Sequence, residues 1–66
     1  MKNRIRVARA EVRMTQQQLA DATGVSRQTI NAIESGKFVP STVLALKIAA
    51  TFGLCVEDIF QLEDGD

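Results

Sequence analysis

The 66-residue sequence contains no histidine and a single cysteine, Cys55. An internal disulfide is therefore excluded, and a zinc site cannot be assembled with the usual number of histidine and cysteine ligands. The absence of histidine also removes the commonest general base, and no serine–lysine or cysteine–base pair stands at a recognisable spacing. We therefore expect a protein that is not an enzyme and that binds neither a metal nor another cofactor.

Long apolar segments are also absent. No run approaches the roughly 20 apolar residues that cross a membrane, and the charged start of the chain does not lead into the apolar core of a signal peptide. A cytoplasmic protein without a membrane partner is expected. A chain of this length buries one modest core, so residues 1–66 are predicted to form one domain with its core in residues 4–60. Since such a core contributes only about 3–5 kcal/mol, self-association is expected to add stability.

Charge is balanced overall but unevenly distributed along the chain. The sequence has eight basic and eight acidic residues, for a formal net charge of zero. Residues 1–40 contain seven basic and three acidic residues, whereas residues 41–66 contain one basic and five acidic residues. Such a molecule can present its basic part to phosphate groups while the acidic part points away.

Apolar residues recur at helical spacing in five short segments, which predicts an all-α, compact five-helix bundle. Helix starts are marked by Thr15, which opens a capping box, and by Ser26 and Ser41. The polar tail, residues 61–66, is predicted either to be disordered, which we favour beyond Glu63, or to pair as a short strand with the first residues. The predicted helical segments are residues 3–12, 15–23, 26–35, 41–53 and 56–60.

Residues 16–35 meet the requirements of two helices that cross through a tight turn. Gly24 can adopt the positive φ that the corner needs, and Ala20 is small enough for the two helices to approach closely. The apolar residues predicted to face the crossing are Leu19, Val25, Ile30 and Ile33. The sequence therefore predicts a helix-turn-helix in residues 16–35.

The exposed side of the third helix carries side chains that can hydrogen-bond to base edges. Arginine matches guanine, and glutamine or asparagine matches adenine, each good pair giving about 1–3 kcal/mol of discrimination. Double-stranded DNA is therefore the expected partner. The predicted base-reading residues are Arg27, Gln28, Thr29 and Asn31. Phosphate contacts are predicted at the helix starts and in the loop after the third helix, by Gln16, Gln17, Ser26 and Lys37.

The chain resembles the phage repressor/Cro family, also called the XRE family, over nearly its whole length. The similar residues are Arg9, Thr15-Gln16, Leu19-Ala20, Gly24-Val25-Ser26, Ile30, Ile33-Glu34, Gly36-Lys37, Pro40-Ser41 and Asp58-Ile59-Phe60. The runs SRQTIN, ALKIA and EDIFQ are most similar to the small homodimeric cytolysin-repressor type. The resemblance implies a lambda-repressor-like domain that binds a palindromic operator as a homodimer and acts as a transcriptional repressor, without a small-molecule effector. It also implies that Arg9 pairs with Glu34 inside the bundle and that the DNA-reading residues are Gln16, Arg27, Gln28 and Asn31.

The end of the chain is more apolar than one short helix needs for its own core. Some of its apolar residues are therefore predicted to form a two-fold interface, the alternative being that all of them complete the monomer core. Cys55 in the same segment has no cation nearby, so it is predicted to be a buried small hydrophobic residue and not a redox switch. The predicted interface residues are Leu54, Val56, Ile59, Phe60 and Leu62.

Two other functions fit the same segments. One is the DNA-binding antitoxin of a toxin–antitoxin pair, in which a toxin is held by the dimer surface or the tail. The other is a protein-interaction module that has lost DNA binding. The polar set on the third helix argues against that loss, because an idle helix has no reason to keep base-reading residue types clustered at its start.

Overall fold

The computed structural model describes residues 1–66, and it contains five helices and two short strands. The elements are β1 (Lys2–Asn3), α1 (Ile5–Glu11), α2 (Gln16–Thr23), α3 (Arg27–Glu34), α4 (Thr42–Phe52), α5 (Val56–Ile59) and β2 (Phe60–Gln61). The predicted all-α fold of five helices with a short terminal β-pairing is therefore confirmed. None of the helices is both long and apolar enough to traverse a lipid bilayer.

Three helices begin at the caps that the sequence predicts. The Thr15 hydroxyl accepts from the backbone N–H of Gln18 at 3.0 Å, and the Thr15 N–H donates to the Gln18 side chain at 2.9 Å. Ser26 and Ser41 each accept from the N–H three residues later at 3.1 Å. Such caps satisfy backbone donors that have no partner within the helix, and each stabilises by about 1 kcal/mol.

The core lies where α2 packs against both α3 and α4. Half of its ten members are β-branched isoleucines, which fill the space between short helices with stiff side chains. The largest fully buried side chains are Ile5, Leu19, Ile30, Ile33, Ile48 and Ile59. Helical spacing also directs Val12 and Phe52 toward this core, but Val12 is exposed in the turn after α1, and Phe52 is half-buried at the end of α4, where it packs against the edge of the core.

Both ends of the chain meet in the antiparallel pairing of β1 with β2. Lys2 is paired with Gln61 and Asn3 with Phe60. Because Asn3 belongs to β1, the first helix starts at Ile5 and is shorter than predicted. The Asn3 side chain also donates to the carbonyl oxygen of Ile33 at 2.8 Å, which attaches β1 to the end of α3.

Residues beyond Glu63 form a turn in the structure, so the favoured prediction of disorder is wrong there. The Glu63 N–H donates to the Asp66 carboxylate at 2.7 Å, and the Asp66 N–H donates to the Glu63 carbonyl at 3.1 Å. The Met1 ammonium lies 3.1 Å from that carboxylate. The ammonium donates to the Asp66 carboxylate and then to that of Glu63, which raises the pKa of the ammonium. The backbone N–H of Glu63 and then the ammonium donate to Asp66, which lowers the pKa of its carboxyl group.

The turn between α1 and α2 contains a strained residue. Arg13 is the one residue other than glycine with a positive φ, 55°. A side chain in this left-handed conformation costs roughly 1–2 kcal/mol. The conformation ends α1 and lets the Met14 N–H donate to the Arg9 carbonyl oxygen at 2.8 Å. The turn is therefore held by hydrogen bonds at a local conformational cost.

The predicted interface residues divide into two groups in the structure. Ile59 and Phe60 are buried in the monomer core, so their assignment to an interface needs correction. They are core residues because α5 packs against α4 and its last turn leads directly into β2. In contrast, Leu54 is 43% and Leu62 is 81% exposed, and Val56 is half-buried. Only this second group is accessible to a partner.

Cys55 is exposed, and the prediction that it is buried is wrong. The residue stands in the turn before α5, where its N–H donates to the Asp58 carboxylate at 2.9 Å. Its position as an N-cap directs it toward solvent, although both of its sequence neighbours are apolar. The apolar neighbours of Cys55 therefore give a wrong prediction of its burial, because its exposure depends on its position at the start of α5.

Candidate nucleic-acid interface

The corner between α2 and α3 depends on the conformation of Gly24. Its φ and ψ are 76° and 27°, in the left-handed region. Outside Gly24 and its two neighbours in the chain, no atom lies within 4 Å of the place that a Cβ would occupy, so glycine is needed for its backbone conformation and not for space. The N–H groups of Gly24 and Val25 both donate to the carbonyl oxygen of Ala20, at 2.9 and 3.1 Å. This arrangement ends α2 and directs the chain into the Ser26 cap of α3.

Helix α3 has an apolar side and a polar side. Ile30 and Ile33 are buried, whereas Arg27, Gln28 and Asn31 are exposed. We call these three exposed residues the recognition face. The fourth predicted base-reading residue, Thr29, is half-buried, and its hydroxyl lies 3.0 Å from the Ser26 hydroxyl. The structure therefore exposes three of the four predicted side chains and engages the fourth in the helix cap.

A buried ion pair joins α1 to α3. The Glu34 side chain is 1% exposed, and its carboxylate accepts from Nε and Nη2 of Arg9 at 2.8 and 3.1 Å. The remaining guanidinium nitrogen of Arg9 donates to the carbonyl oxygen of Met14 at 2.9 Å. Arg6, on the surface, lies 3.5 Å from the same carboxylate. Because two arginines surround Glu34, the only acidic residue of α3 adds no exposed negative charge beside the recognition face.

Gln16, the first residue of α2, lies beside the recognition face. Its amide nitrogen donates to the side-chain oxygen of Asn31 at 3.2 Å and to Glu34 at 3.4 Å. The sequence predicts a phosphate contact for Gln16, and the family resemblance implies a part in reading DNA, but neither predicts these two contacts within the protein. The sequence does indicate that Gln16 begins the helix that crosses α3. It does not predict that residues 16 and 31 are in contact, because their distance depends on the angle between the two helices.

The other predicted phosphate contacts differ in their surroundings. Gln17 is exposed, but its amide donates to the carboxylate of Asp21 at 2.8 Å. Lys37 is exposed in the loop after α3 and, like Arg27, has no acidic partner within 4 Å. The backbone N–H groups of Gln16 and Gln17 have no acceptor in the chain. Unpaired cations and a free helix N-terminus are the groups that a phosphate oxygen requires.

A five-helix bundle whose second and third helices cross at a left-handed glycine, with a polar and uncovered third helix, is a helix-turn-helix domain. The family whose model matches residues 5–58 is described as helix-turn-helix. The chain belongs to this family and is a DNA-binding helix-turn-helix transcriptional regulator of the XRE type. Regulators of this class are generally not enzymes.

Relatives match the chain along nearly its whole length. An uncharacterised HTH-type transcriptional regulator of Methanocaldococcus jannaschii is 54% identical over 66 residues, which cover all of both chains. The HTH-type regulator YgzD of Bacillus subtilis is 47% identical over 64 residues, 97% of each chain. Among solved structures, the clp gene regulator ClgR from Corynebacterium glutamicum superposes with a TM-score of 0.77 at 30% identity, covering 82% of this chain and 57% of that one.

Proposed function

We propose that the protein is a sequence-specific repressor that binds a near-palindromic operator as a homodimer, with α3 of each subunit in a major groove. The observation that carries this proposal is the recognition face. Arg27, Gln28 and Asn31 are exposed on one helix, and the acidic residue of that helix is buried against Arg9. A polar surface that folding does not need, free of negative charge, is suited to contact bases.

The proposed contacts divide into those that read bases and those that set position. Arg27 suits guanine O6 and N7, the amide of Gln28 suits a base edge that combines a donor and an acceptor, and the amide of Asn31 also contacts a base edge. Thr29 has a smaller part, because its hydroxyl is already in contact with Ser26. The proposed phosphate contacts, which fix register without reading sequence, are made by the backbone N–H group of Gln16 and by Gln17, Ser26 and Lys37.

Dimerisation is proposed to use the accessible apolar residues at the end of the chain, Leu54, Val56 and Leu62. Leu62 is 81% exposed, and a leucine so exposed gains by packing against a second copy. Two-fold symmetry then requires inverted half-sites with centres about 34 Å apart, one turn of DNA. Sedimentation at micromolar concentration tests the association, and L62E is expected to shift the population toward monomer. A monomeric wild-type protein would contradict this part of the proposal.

Repression is supported by the resemblance to the phage repressor/Cro family. A dimer that covers about one and a half turns of promoter DNA excludes polymerase from the same surface. The measurement is transcription in vitro from a template that carries the selected operator across its promoter. We expect transcription to fall as the operator is filled. A rise in transcription would assign the protein to activation.

The operator itself is found by selecting bound fragments from a random pool of duplex DNA. We expect an enriched motif made of two inverted half-sites. If each subunit neutralises about three phosphates, the logarithm of affinity falls with the logarithm of salt concentration with a slope near −5. A pool that yields no motif, or an affinity that does not depend on salt, would exclude the proposed function.

A further inference from the structure

The amide of Gln16 has a chemically determined orientation. Glu34 is buried between two arginines, and an ionised carboxylate can only accept hydrogen bonds. The side chain of Gln16 therefore has to turn its NH₂ group, not its oxygen, toward Glu34. The same nitrogen lies 3.2 Å from the Asn31 oxygen and 3.4 Å from Glu34, so each of its two hydrogens has an acceptor.

The orientation of Gln16 determines that of Asn31. Because Gln16 supplies a hydrogen, Asn31 has to present its oxygen on that side, and its NH₂ group takes the opposite position. This NH₂ group has no acceptor within the chain, and Asn31 is exposed on the recognition face. The side chain therefore offers the groove two N–H donors, while its oxygen is already in use.

Glu34, from which this series of hydrogen bonds starts, is held rigidly. The Glu34 side chain is 1% exposed and is held by two hydrogen bonds from Arg9. Arg9 is in turn fixed by the carbonyl oxygen of Met14 at 2.9 Å. A free asparagine amide can rotate to exchange its donor and acceptor, but one that is tied to a fixed carboxylate through Gln16 cannot do so without breaking hydrogen bonds.

We propose that Glu34, acting through Gln16, sets the base preference of Asn31. The inference rests on the proposed function, and it makes Glu34 and Gln16 positioning residues. Asn31 then selects a base that offers acceptors without an amino group at the contact, guanine or thymine, whereas adenine presents its N7 acceptor beside an amino group that needs the Asn31 oxygen. The bidentate pair with adenine is disfavoured because it would have to share the Asn31 oxygen with Gln16.

The test compares motifs selected from a random DNA pool by the wild-type protein and by four variants. N31A identifies the operator position that Asn31 reads, because preference disappears there. We expect that position to hold guanine or thymine in the wild-type motif. Q16M keeps the length of the side chain but removes its amide, and it should reduce the preference at that position by at least about fivefold and admit adenine.

Two further variants separate orientation from stability and from general affinity. N31D keeps the oxygen that accepts from Gln16 and replaces the NH₂ group by a second acceptor, so the preference should move to a base with an amino group, cytosine or adenine. Q17M is the matched control on the same helix. It removes an amide that contacts only Asp21, and it should lower affinity for all sequences alike without changing the motif.

The outcomes distinguish this inference from the function on which it rests. A wild-type motif with adenine at the position identified by N31A would overturn the inference and leave the function intact. The same holds if Q16M weakens binding to all sequences equally, or if N31A changes no position. If the wild-type protein selects no motif, the proposed function fails and the inference fails with it. Thermal unfolding of each variant checks that the fold is retained.

Discussion

The two sides of α3 place opposite demands on one eight-residue helix. On the inner side, Ile30 and Ile33 are buried in the core. On the outer side, Arg27, Gln28 and Asn31 make no contact that the fold requires, apart from the hydrogen bond between Asn31 and Gln16. Substitutions on the inner side should therefore change the free energy of unfolding, and those on the outer side should change DNA binding.

Glu34 is the residue at which the two sides meet. It is buried like the isoleucines, yet its carboxylate contacts Gln16, which contacts the recognition face. Stability and base preference are thus independent along most of α3 and connected at its end. Four experiments test this division, in order from the largest expected effect to the smallest.

Substitution of Ile33 by alanine should have the largest effect. Its side chain is almost fully buried where α2 packs on α3. Removal of buried methyl groups with an incompletely closed cavity should lower the free energy of unfolding by about 2–5 kcal/mol. Urea denaturation measures the decrease, with V43A as control, because Val43 is 63% exposed and should change stability by less than about 0.5 kcal/mol. If I33A and V43A lowered the free energy of unfolding by similar amounts, the description of Ile33 as part of the buried side of α3 would be wrong.

Replacement of the ion pair between Arg9 and Glu34 separates its role in stability from its role in base preference. E34L alone leaves the mostly buried guanidinium of Arg9 without its carboxylate and should cost about 3 kcal/mol. The double variant R9M/E34L fills the space with apolar groups and should recover most of that stability. It should nevertheless lose preference at the base read by Asn31, because Gln16 no longer has a carboxylate to orient it. A double variant with normal stability and an unchanged motif would show that Glu34 acts on folding alone.

Q28A should change base preference and leave the fold unaffected. Its side chain is exposed, with no hydrogen bond to the rest of the chain, so the free energy of unfolding should change by less than about 0.5 kcal/mol. Discrimination at one operator position should fall by about 1–3 kcal/mol, measured by competition between operators that differ at that base. Q61A is the control, since Gln61 is exposed and belongs to β2 and not to α3. If Q28A and Q61A lost discrimination by equal amounts, the surface that contacts bases would not be the exposed side of α3.

The sequence predicts most of the fold because its signals are local. Thr15, Ser26 and Ser41 are capping residues whose partners lie three residues away, and the alternation along α3 follows from helical periodicity alone. The corner at Gly24 can also be predicted locally, since a left-handed backbone conformation is a property of one residue. The exposure of Arg27 and Gln28 could be predicted for the same reason: they lie opposite a buried stripe on one helix.

What the sequence does not predict depends on how distant segments meet. Ile59 and Phe60 look like surplus apolar residues until α5 is seen to pack on α4 and to lead into β2. Cys55 looks buried until its position at a helix start is known. The contact of Gln16 with Asn31 depends on the crossing of α2 and α3, whose angle is set by core packing and not by either helix.

K37A should have the smallest effect. It tests the comparison between the two sides of α3 through the kind of change it causes, a loss of affinity that is the same for all DNA sequences. Lys37 is exposed beyond the end of α3 with no acidic partner, so its removal should weaken binding to all sequences alike and leave the motif unchanged. Because each subunit of the variant would neutralise one phosphate fewer, the salt dependence of a dimer should become shallower by about 2. K47A removes the same charge from α4, outside the proposed contacts, and should change the slope far less. If the two variants gave equal slopes, the cations would act through net charge alone, and the contact surface would not extend beyond α3 to Lys37.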